Sequence, residues 1–254
     1  MQKLIYAIFI CTILFSFVET SNKLTLTTPQ ESQPLESVKT PISVSHAPFN
    51  VLLAKYVSNE GVVNYKGFKT EQNKLIKYIT TLKSVASKST WTRNEKLVYW
   101  INLYNSLTIN LLLNHYPIQS ITKIDKAWDT NIVTIEGTSY TLNEIENNVI
   151  RPTFNEPRIH FAVNCGALSC PKLLNEAFVP DRLQEQLEKQ TIEFINNSRH
   201  NEITVNKIQV SKIFDWYASD FGNIITFFNN YSTTKINPNA EINYLEYQWD
   251  LNGY

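Results

Sequence analysis

Hydrophobic and polar positions divide the chain into three segments of different character. Residues 4–18 are uncharged and mostly apolar, residues 21–48 are rich in Ser, Thr, Gln and Pro, and periodic patterns begin near Phe49. The apolar run is shorter than the roughly 20 residues that cross a bilayer as a helix, which favours an export signal. We predict a signal peptide over 1–20, a flexible leader over 21–48 and one domain over 49–254.

The predicted location is outside the cytoplasm, either periplasmic or secreted. An uncleaved N-terminal segment that anchors the protein in a membrane is the alternative to cleavage near Thr20.

The most apolar helix is predicted to begin after Thr92 and to end before Pro117. Thr92 and Glu95 have the spacing of a capping box, and a proline stops a helix at the preceding residue. Apolar residues surround nearly every side of this segment. The pattern therefore predicts a central, buried helix.

Polar residues interrupt this helix at Asn102, Tyr104 and Asn105. A buried polar group without a partner costs roughly 1–3 kcal/mol, so these side chains must be paired. They either tie neighbouring loops to the helix or line a site, and the pattern leaves both open. Glu95 is likewise either a capping carboxylate or part of a site.

The remaining pattern mixes helices and strands. Helical spacing and capping boxes predict helices over residues 49–57, 70–86, 142–150, 181–197, 212–222 and 224–231. Alternation and turn residues predict a hairpin around Gly137, a strand over 157–164, a hairpin around Asn206 and a last strand over 242–250. The aromatic residues of the last strand are interpreted as core. This mixture predicts an α+β fold.

The composition argues against nucleic-acid binding and against phosphate-binding loops. The 23 basic and 23 acidic residues balance, so no electrostatic attraction to nucleic acid is expected. The chain has only six glycines and no glycine-rich phosphate-binding motif. We predict no cofactor.

The chemically richest stretch is R-I-H-F-A-V-N-C-G-A-L-S-C-P, residues 158–171. It holds one of four histidines and the two cysteines that remain once Cys11 leaves with the signal peptide. If 157–164 is a strand, His160 and Asn164 share a face, and Cys165 begins a turn that Gly166 permits.

One interpretation is a thiol nucleophile. An imidazole beside Cys165 lowers the pKa of its thiol, and a third group must then orient His160. Glu95 is the candidate for that group, with Asn102 and Asn105 behind it. Main-chain N–H groups of residues 165–167, or an Asn side chain such as Asn164, are the candidate oxyanion donors.

Two other interpretations remain open. The first is a disulfide between Cys165 and Cys170, with His160 as a core residue. The second is a zinc site of His160, Cys165 and Cys170, whose fourth ligand would come from His46, His115, His200 or a carboxylate. Of these, the thiol interpretation is preferred, and no metal is predicted.

Three motifs in order resemble the domain-of-unknown-function 547 family over roughly residues 51–221. They are W-I-N-L-Y-N-S-L-T-I from Trp100, Y-T-L-N-E-I-E from Tyr140, and R-I-H-F-A-V-N-C-G-A-L-S-C-P-K-L followed by E-A-F. The resemblance implies a papain-like or transglutaminase-like single domain, with a buried central helix packed against a small, mostly antiparallel sheet. Unlike papain, this chain places the histidine before the cysteine.

The resemblance strengthens the thiol interpretation. The predicted function is an exported cysteine-dependent hydrolase or acyl transferase that cleaves a peptide-like or γ-glutamyl amide bond, as in small peptides or glutathione. Cys165, His160 and Glu95 form the predicted triad, and Cys170 is a reserve nucleophile or redox partner. The alternative is a non-catalytic extracytoplasmic binding module stabilised by the disulfide. No nucleic-acid partner is expected. Contact with a membrane is expected only through a retained N-terminal segment.

Overall fold

The computed structural model describes residues 44–85 and 89–254. The predicted signal peptide and leader residues 21–43 lie outside this part of the chain. The described residues belong to one unit, Thr40–Tyr254.

Helices dominate the described chain. The α-helices are α1 Ala47–Tyr56, α2 Tyr65–Lys69, α3 Gln72–Ser84, α4 Arg93–His115, α5 Leu142–Glu144, α6 Arg151–Phe154, α7 Leu183–Ile195, α8 Ile213–Trp216, α9 Ala218–Phe221 and α10 Ile224–Tyr231. A π-helix, Ile145–Ile150, joins α5 to α6, and 3-10 helices cover Ile121–Lys123, Pro157–Phe161 and Pro180–Arg182. The strands are β1 Val133–Ile135, β2 Thr138–Tyr140, β3 Asn201–Ile203, β4 Lys207–Val210 and β5 Glu241–Tyr244. The prediction of a mixed helix-and-strand fold is confirmed.

Helix α4 is the buried helix that the sequence predicts. Thr92 and Glu95 form the capping box, with the Thr92 N–H donating to Glu95 Oε2 at 2.7 Å. The helix ends at His115, two residues before Pro117. Its neighbours are α2, α3, α5, the π-helix and the 3-10 helix Pro180–Arg182. Helices therefore cover most of α4, but Trp100 of α4 also packs edge-to-face on Tyr140 of β2, so the expected packing against a sheet is met in part.

The strands form two small sheets. β1 and β2 pair as an antiparallel hairpin around Gly137, and β3 pairs antiparallel with β4, as predicted. β5 joins the second sheet parallel to β4. The predicted last strand therefore forms over part of its length only.

The predicted strand over residues 157–164 is wrong, because a 3-10 helix covers Pro157–Phe161. Pro157 stands at its first position, and the Glu156 side chain accepts a hydrogen bond from the Arg158 N–H at 3.2 Å. Successive residues Ile159, His160 and Phe161 are all buried, so no face of this segment is left for solvent. In a strand with one solvent-exposed face, every second side chain would be exposed, which does not agree with this burial.

Two hydrophobic cores meet at this 3-10 helix. Ile159 belongs to a core built around α4, whereas Phe161 belongs to a core rich in phenylalanine, which includes Phe194, Phe214 and Phe228. His160 stands between these two residues in the chain. The local backbone therefore holds the imidazole at the junction of the two cores.

Residues 247–254, here called the C-terminal strap, cross the loop that carries the cysteines. The Leu168 N–H donates to the Asp250 carbonyl at 2.8 Å, and the Asn252 N–H donates to the Gly166 carbonyl at 2.9 Å. The strap also pairs with Val63, where a Cβ at Gly253 would lie 1.9 Å from the Val63 carbonyl oxygen. Only glycine permits that approach.

Within residues 44–85 and 89–254, no helix has the length and apolar character that crossing a bilayer requires.

Candidate functional site

His160 is the centre of the candidate site. Its side chain is 3% exposed, its ring stacks on Tyr217 with centroids 4.0 Å apart, and its Nε2 lies 2.8 Å from Asp220 Oδ2. A carboxylate accepts, so Nε2 donates and carries the proton, which leaves Nδ1 as an acceptor. Burial lowers the pKa of His160 to about 4 and outweighs the opposite effect of Asp220. The imidazole is therefore neutral at neutral pH.

Asp220 is held in place by Arg151. The guanidinium donates through Nε to Oδ2 at 2.6 Å and through a terminal nitrogen to Oδ1 at 2.7 Å, a two-point pairing that fixes both oxygens. Arg151 chiefly, with His160, holds the pKa of Asp220 well below its usual range. Asp220 is thus a carboxylate that orients His160.

Glu146 lies on the other side of the imidazole. Its Oε1 is 3.9 Å from His160 Nδ1. Burial raises the pKa of Glu146, and the neighbouring phenols of Tyr217 and Tyr104 oppose that rise. Burial also raises the pKa values of the two phenols, so both remain protonated at neutral pH.

Cys165 and Cys170 are joined by a disulfide, with Cα atoms 6.2 Å apart. The Cys165 N–H also donates to Cys170 Sγ at 2.8 Å, and Cys165 Sγ lies 3.3 Å from the Tyr247 hydroxyl. Cys165 is half-buried, whereas Cys170 is 6% exposed. The disulfide alternative therefore describes the form seen here, and a free thiol requires its reduction.

Buried amides position the loop between the histidine and the cysteines. Asn105 donates to the Ala162 carbonyl and accepts from the Asn164 N–H, both at 2.9 Å. Asn164 Oδ1 accepts from the Gly166 N–H at 2.9 Å, so that expected oxyanion donor already has a partner. Asn102 pairs with both backbone groups of Phe178. These side chains tie loops to α4, which is one of the two roles that the sequence left open.

Gly166 allows the turn after Cys165. Its φ is +80°, and a Cβ there would lie 2.5 Å from Leu112 Cδ1 on α4. The turn therefore packs directly against the central helix, where only glycine fits.

A cavity of about 280 Å³ lies between the His160 imidazole, the Glu146 carboxyl group and the disulfide. We call Tyr104, Glu146, His160 and Tyr217 its inner wall, and Trp128, Trp216, Tyr247 and Trp249 its outer wall. The other lining residues are Asn143, Asn147, Val163, Cys165, Cys170, Pro171 and Ile213. Tyr247 and Trp249 of the C-terminal aromatic run are half-buried and pack against the two cores, as the interpretation as core expects, and both also line this cavity.

The structure thus brings together part of the predicted site. His160, Cys165, Cys170 and Tyr104 line one cavity. Glu95 lies instead at the N-terminus of α4, where its carboxylate accepts hydrogen bonds from Thr92. The carboxylates beside the imidazole are Asp220 and Glu146.

Sequence reasoning missed both of these carboxylates. Glu146 follows Leu142 by four residues and precedes Ile150 by four, so it lies on the apolar stripe of a predicted helix. That position was a usable signal of burial. Asp220 gave no such signal, since it lies 60 residues from His160 in the chain.

The histidines proposed as a fourth zinc ligand have other surroundings. His46 Nδ1 lies 2.6 Å from the Tyr78 hydroxyl, His115 Nδ1 lies 2.9 Å from the Leu111 carbonyl oxygen, and His200 stacks on Phe194. In the part of the chain that the structure describes, no group of three or more His, Cys, Asp or Glu side chains is arranged to hold a metal ion.

The fold and the site together define a mixed helix-and-strand domain with an aromatic cavity, which is lined by a disulfide and by a histidine that is paired with an aspartate. Residues 88–195 match the model of a family described as "Protein of unknown function, DUF547". The match includes α4, Glu146, His160 and both cavity cysteines, which supports the resemblance drawn from the sequence motifs. No curated protein and no solved structure matches the chain.

Proposed function

We propose that the protein is a cysteine-dependent hydrolase or acyl transferase of the papain-like or transglutaminase-like kind. Cys165 is the nucleophile, His160 the general base, and Asp220 takes the orienting role first expected of Glu95. The substrate is a peptide-like or γ-glutamyl amide, as in small peptides or glutathione. We also propose export, on the strength of the N-terminal apolar run.

The observation that carries the proposal is the orientation of His160 within the cavity that Cys165 lines. His160 Nε2 donates a hydrogen bond to Asp220, so the unprotonated Nδ1 can accept a proton from a thiol. Of the two cysteines, Cys165 is the more exposed, so it is the better placed for a substrate.

The proposed enzyme is active only in the reduced form. A dithiol reductant transfers two electrons and two protons, which opens the Cys165–Cys170 bond to two thiols while the reductant becomes a disulfide. Nδ1 of His160 then takes the proton of Cys165. The resulting thiolate attacks the amide carbonyl carbon.

The acyl-enzyme forms when the C–N bond breaks. The imidazolium returns its proton to the leaving amine, and water or a second amine then resolves the thioester. The Tyr247 hydroxyl, 3.3 Å from Cys165 Sγ, is the proposed donor to the developing oxyanion. Burial raises its pKa, so it remains a donor at neutral pH.

A matched pair of variants tests this proposal. Cys165→Ser and Cys170→Ser remove the same disulfide, so they lose similar stability and differ only in which thiol remains. We expect no turnover of a chromogenic peptide amide or a γ-glutamyl anilide by Cys165→Ser. Cys170→Ser should be active without reductant, whereas the wild type should require dithiothreitol. Equal activity of the two variants would contradict the assignment of Cys165.

The binding-module alternative keeps one observation in its favour. The disulfide is formed, and the N–H groups of Cys165 and Gly166 already have partners, as in a purely structural loop. Under that alternative, both variants lose stability, neither hydrolyses any amide tested, and reductant weakens ligand binding. Thermal melting and a hydrolysis assay on the same two proteins therefore separate the two functions.

A further inference from the structure

The outer wall of the cavity is built from four aromatic rings in mutual contact. Trp249 lies 4.6 Å from Tyr247, 5.6 Å from Trp128 and 5.9 Å from Trp216, measured between ring centroids. Trp216 is 48% exposed and packs on Tyr247 and Trp249, so this aromatic cluster reaches the protein surface. Aromatic faces carry negative electrostatic potential and attract cations, most strongly at Trp.

The ionisable carboxyl group in the cavity lining is that of Glu146. Among the described residues, the lining contains no Lys or Arg. The nearby guanidinium of Arg151 is already paired with both oxygens of Asp220. Burial raises the pKa of Glu146, because a buried carboxylate loses its hydration. A cation bound in the cavity would stabilise the charged carboxylate and offset this loss.

The inner wall also offers acceptors rather than donors. His160 Nδ1 is an acceptor, and its distance of 3.9 Å from Glu146 Oε1 is too long for a hydrogen bond. Glu146 Oε1 therefore suits a ligand ammonium group, while His160 Nδ1 remains available as the proposed base. The volume of about 280 Å³ lies just below the roughly 300–1,000 Å³ of drug-sized ligand sites, so it fits one side-chain-sized group.

We propose that this cavity binds an organic cation, an alkylammonium or quaternary ammonium group, between the aromatic outer wall and Glu146. The cation is part of the substrate, and this assignment rests on the proposed function. The amide cleaved is then one that lies close to a positively charged amine, such as a lysine-like or N-terminal ammonium group.

The test uses the full chain without reductant, so that the disulfide is intact and no thiol chemistry takes place. Tryptophan fluorescence and calorimetry compare choline with its neutral isostere 3,3-dimethylbutan-1-ol, and butylammonium with butan-1-ol. We expect at least one cation to bind roughly 10-fold or more tightly than its neutral partner. Equal affinity within both pairs, or no binding by either cation, would overturn the inference.

Variants locate the binding. Glu146→Gln, nearly isosteric, should reduce the preference for the cation over its neutral partner roughly 10-fold. Trp216→Ala, at an exposed position that tolerates truncation, should weaken cation binding several-fold. Tyr254→Ala removes another exposed ring of the strap, outside the cavity lining, and should leave binding unchanged. Loss of binding in Tyr254→Ala equal to that in Trp216→Ala would place the cation elsewhere.

The two proposals fail separately. Cation binding without any thiol-dependent turnover would contradict the proposed function, but the inference of a cation-binding site would still hold. Turnover that requires Cys165 but shows no preference for substrates bearing an ammonium group would contradict the assignment of the cation to the substrate.

Discussion

The two walls of the cavity are made in different ways. The inner wall comes from α4, the π-helix, the 3-10 helix Pro157–Phe161 and Tyr217 between α8 and α9. Its Tyr104, Glu146 and His160 are buried, and His160 is hydrogen-bonded to Asp220. The outer wall comes from α8, the strap and the loop around Trp128. Its four rings are half-buried or exposed, and ring packing connects them.

This difference separates two tasks. Groups that exchange protons must be fixed before the substrate arrives, and buried hydrogen bonds provide that rigidity. Rings that select a ligand can shift, because contacts between exposed aromatic faces constrain position only weakly. Under the two proposals, the inner wall holds the reacting groups and the outer wall contacts the ligand. At neutral pH, a substitution that removes support from the inner wall is expected to cost more stability than one in the strap.

The largest effect is expected from Asn105→Ala, which removes the support of the inner wall. Both hydrogen bonds to the loop after His160 are lost, and a buried carbonyl and a buried N–H are left without partners. We expect the free energy of unfolding, measured by urea denaturation, to fall by about 3 kcal/mol.

Asn110→Ala on the same helix is the matched control. Its amide oxygen accepts one hydrogen bond from Gln72 at a half-buried position, so the expected loss is below about 1 kcal/mol. Equal losses in the two variants would contradict the supporting role of Asn105.

A smaller effect is expected from Gly253→Ala, which perturbs the outer wall. The new methyl group collides with the Val63 carbonyl, so the strap must move away. We expect a loss of about 2 kcal/mol. Hydrogen exchange should accelerate at the amides of Leu251, Asn252 and Tyr254, while the amides of α4 keep their protection.

Gly137→Ala supplies the control for backbone strain. Its φ of +82° is unfavourable for alanine, yet nothing lies within 4 Å of the added Cβ. We expect about 1 kcal/mol of destabilisation and unchanged exchange in the strap. Faster exchange throughout α4 in Gly253→Ala would mean that the walls do not unfold independently.

A separate effect, below neutral pH, is a slope in the pH dependence of stability. Burial lowers the pKa values of His46, His160 and His200 to about 4. The unfolded chain therefore binds these protons first, and stability falls as the pH drops from about 6.5 to 4, by up to about 1.4 kcal/mol per pH unit for each histidine. The raised pKa of Glu146 contributes with the opposite sign.

His160→Gln should remove about one third of the histidine slope, as His200→Gln should. Urea denaturation between pH 4 and 7.5 measures the difference. An unchanged slope in His160→Gln would mean that the imidazole is charged beside Asp220, and it would then not serve as a base.

Local signals predicted much of the inner wall. The capping box at Thr92, the proline at 117 and the apolar surface between them located α4 correctly. The Cys and His stretch pointed to His160, Cys165 and Cys170, which do line one cavity. These features succeed because each depends on residues within a few turns of chain.

The errors arose where tertiary packing overrides the local pattern. Residues 157–164 alternate like a strand, yet two cores enclose them, and a 3-10 helix buries consecutive side chains. Glu95 was chosen because it is near the buried asparagines in sequence. The group that reaches His160, Asp220, comes from α9, and no local pattern relates the two.

The outer wall was beyond sequence reasoning for the same reason. Tyr247 and Trp249 reach the cavity because the strap pairs with residues 63 and 166–169, which lie about 80 to 190 positions earlier. An aromatic run gives no indication of that docking partner.

The position of the strap in the chain has a consequence for biosynthesis. During translation, α4 and both cysteines leave the ribosome more than 75 residues ahead of Tyr247. The segment that carries His160 and the two cavity cysteines is therefore synthesised before the strap that carries two rings of the outer wall. A premature stop codon before Tyr247 would release a chain whose cavity lacks two of its aromatic rings.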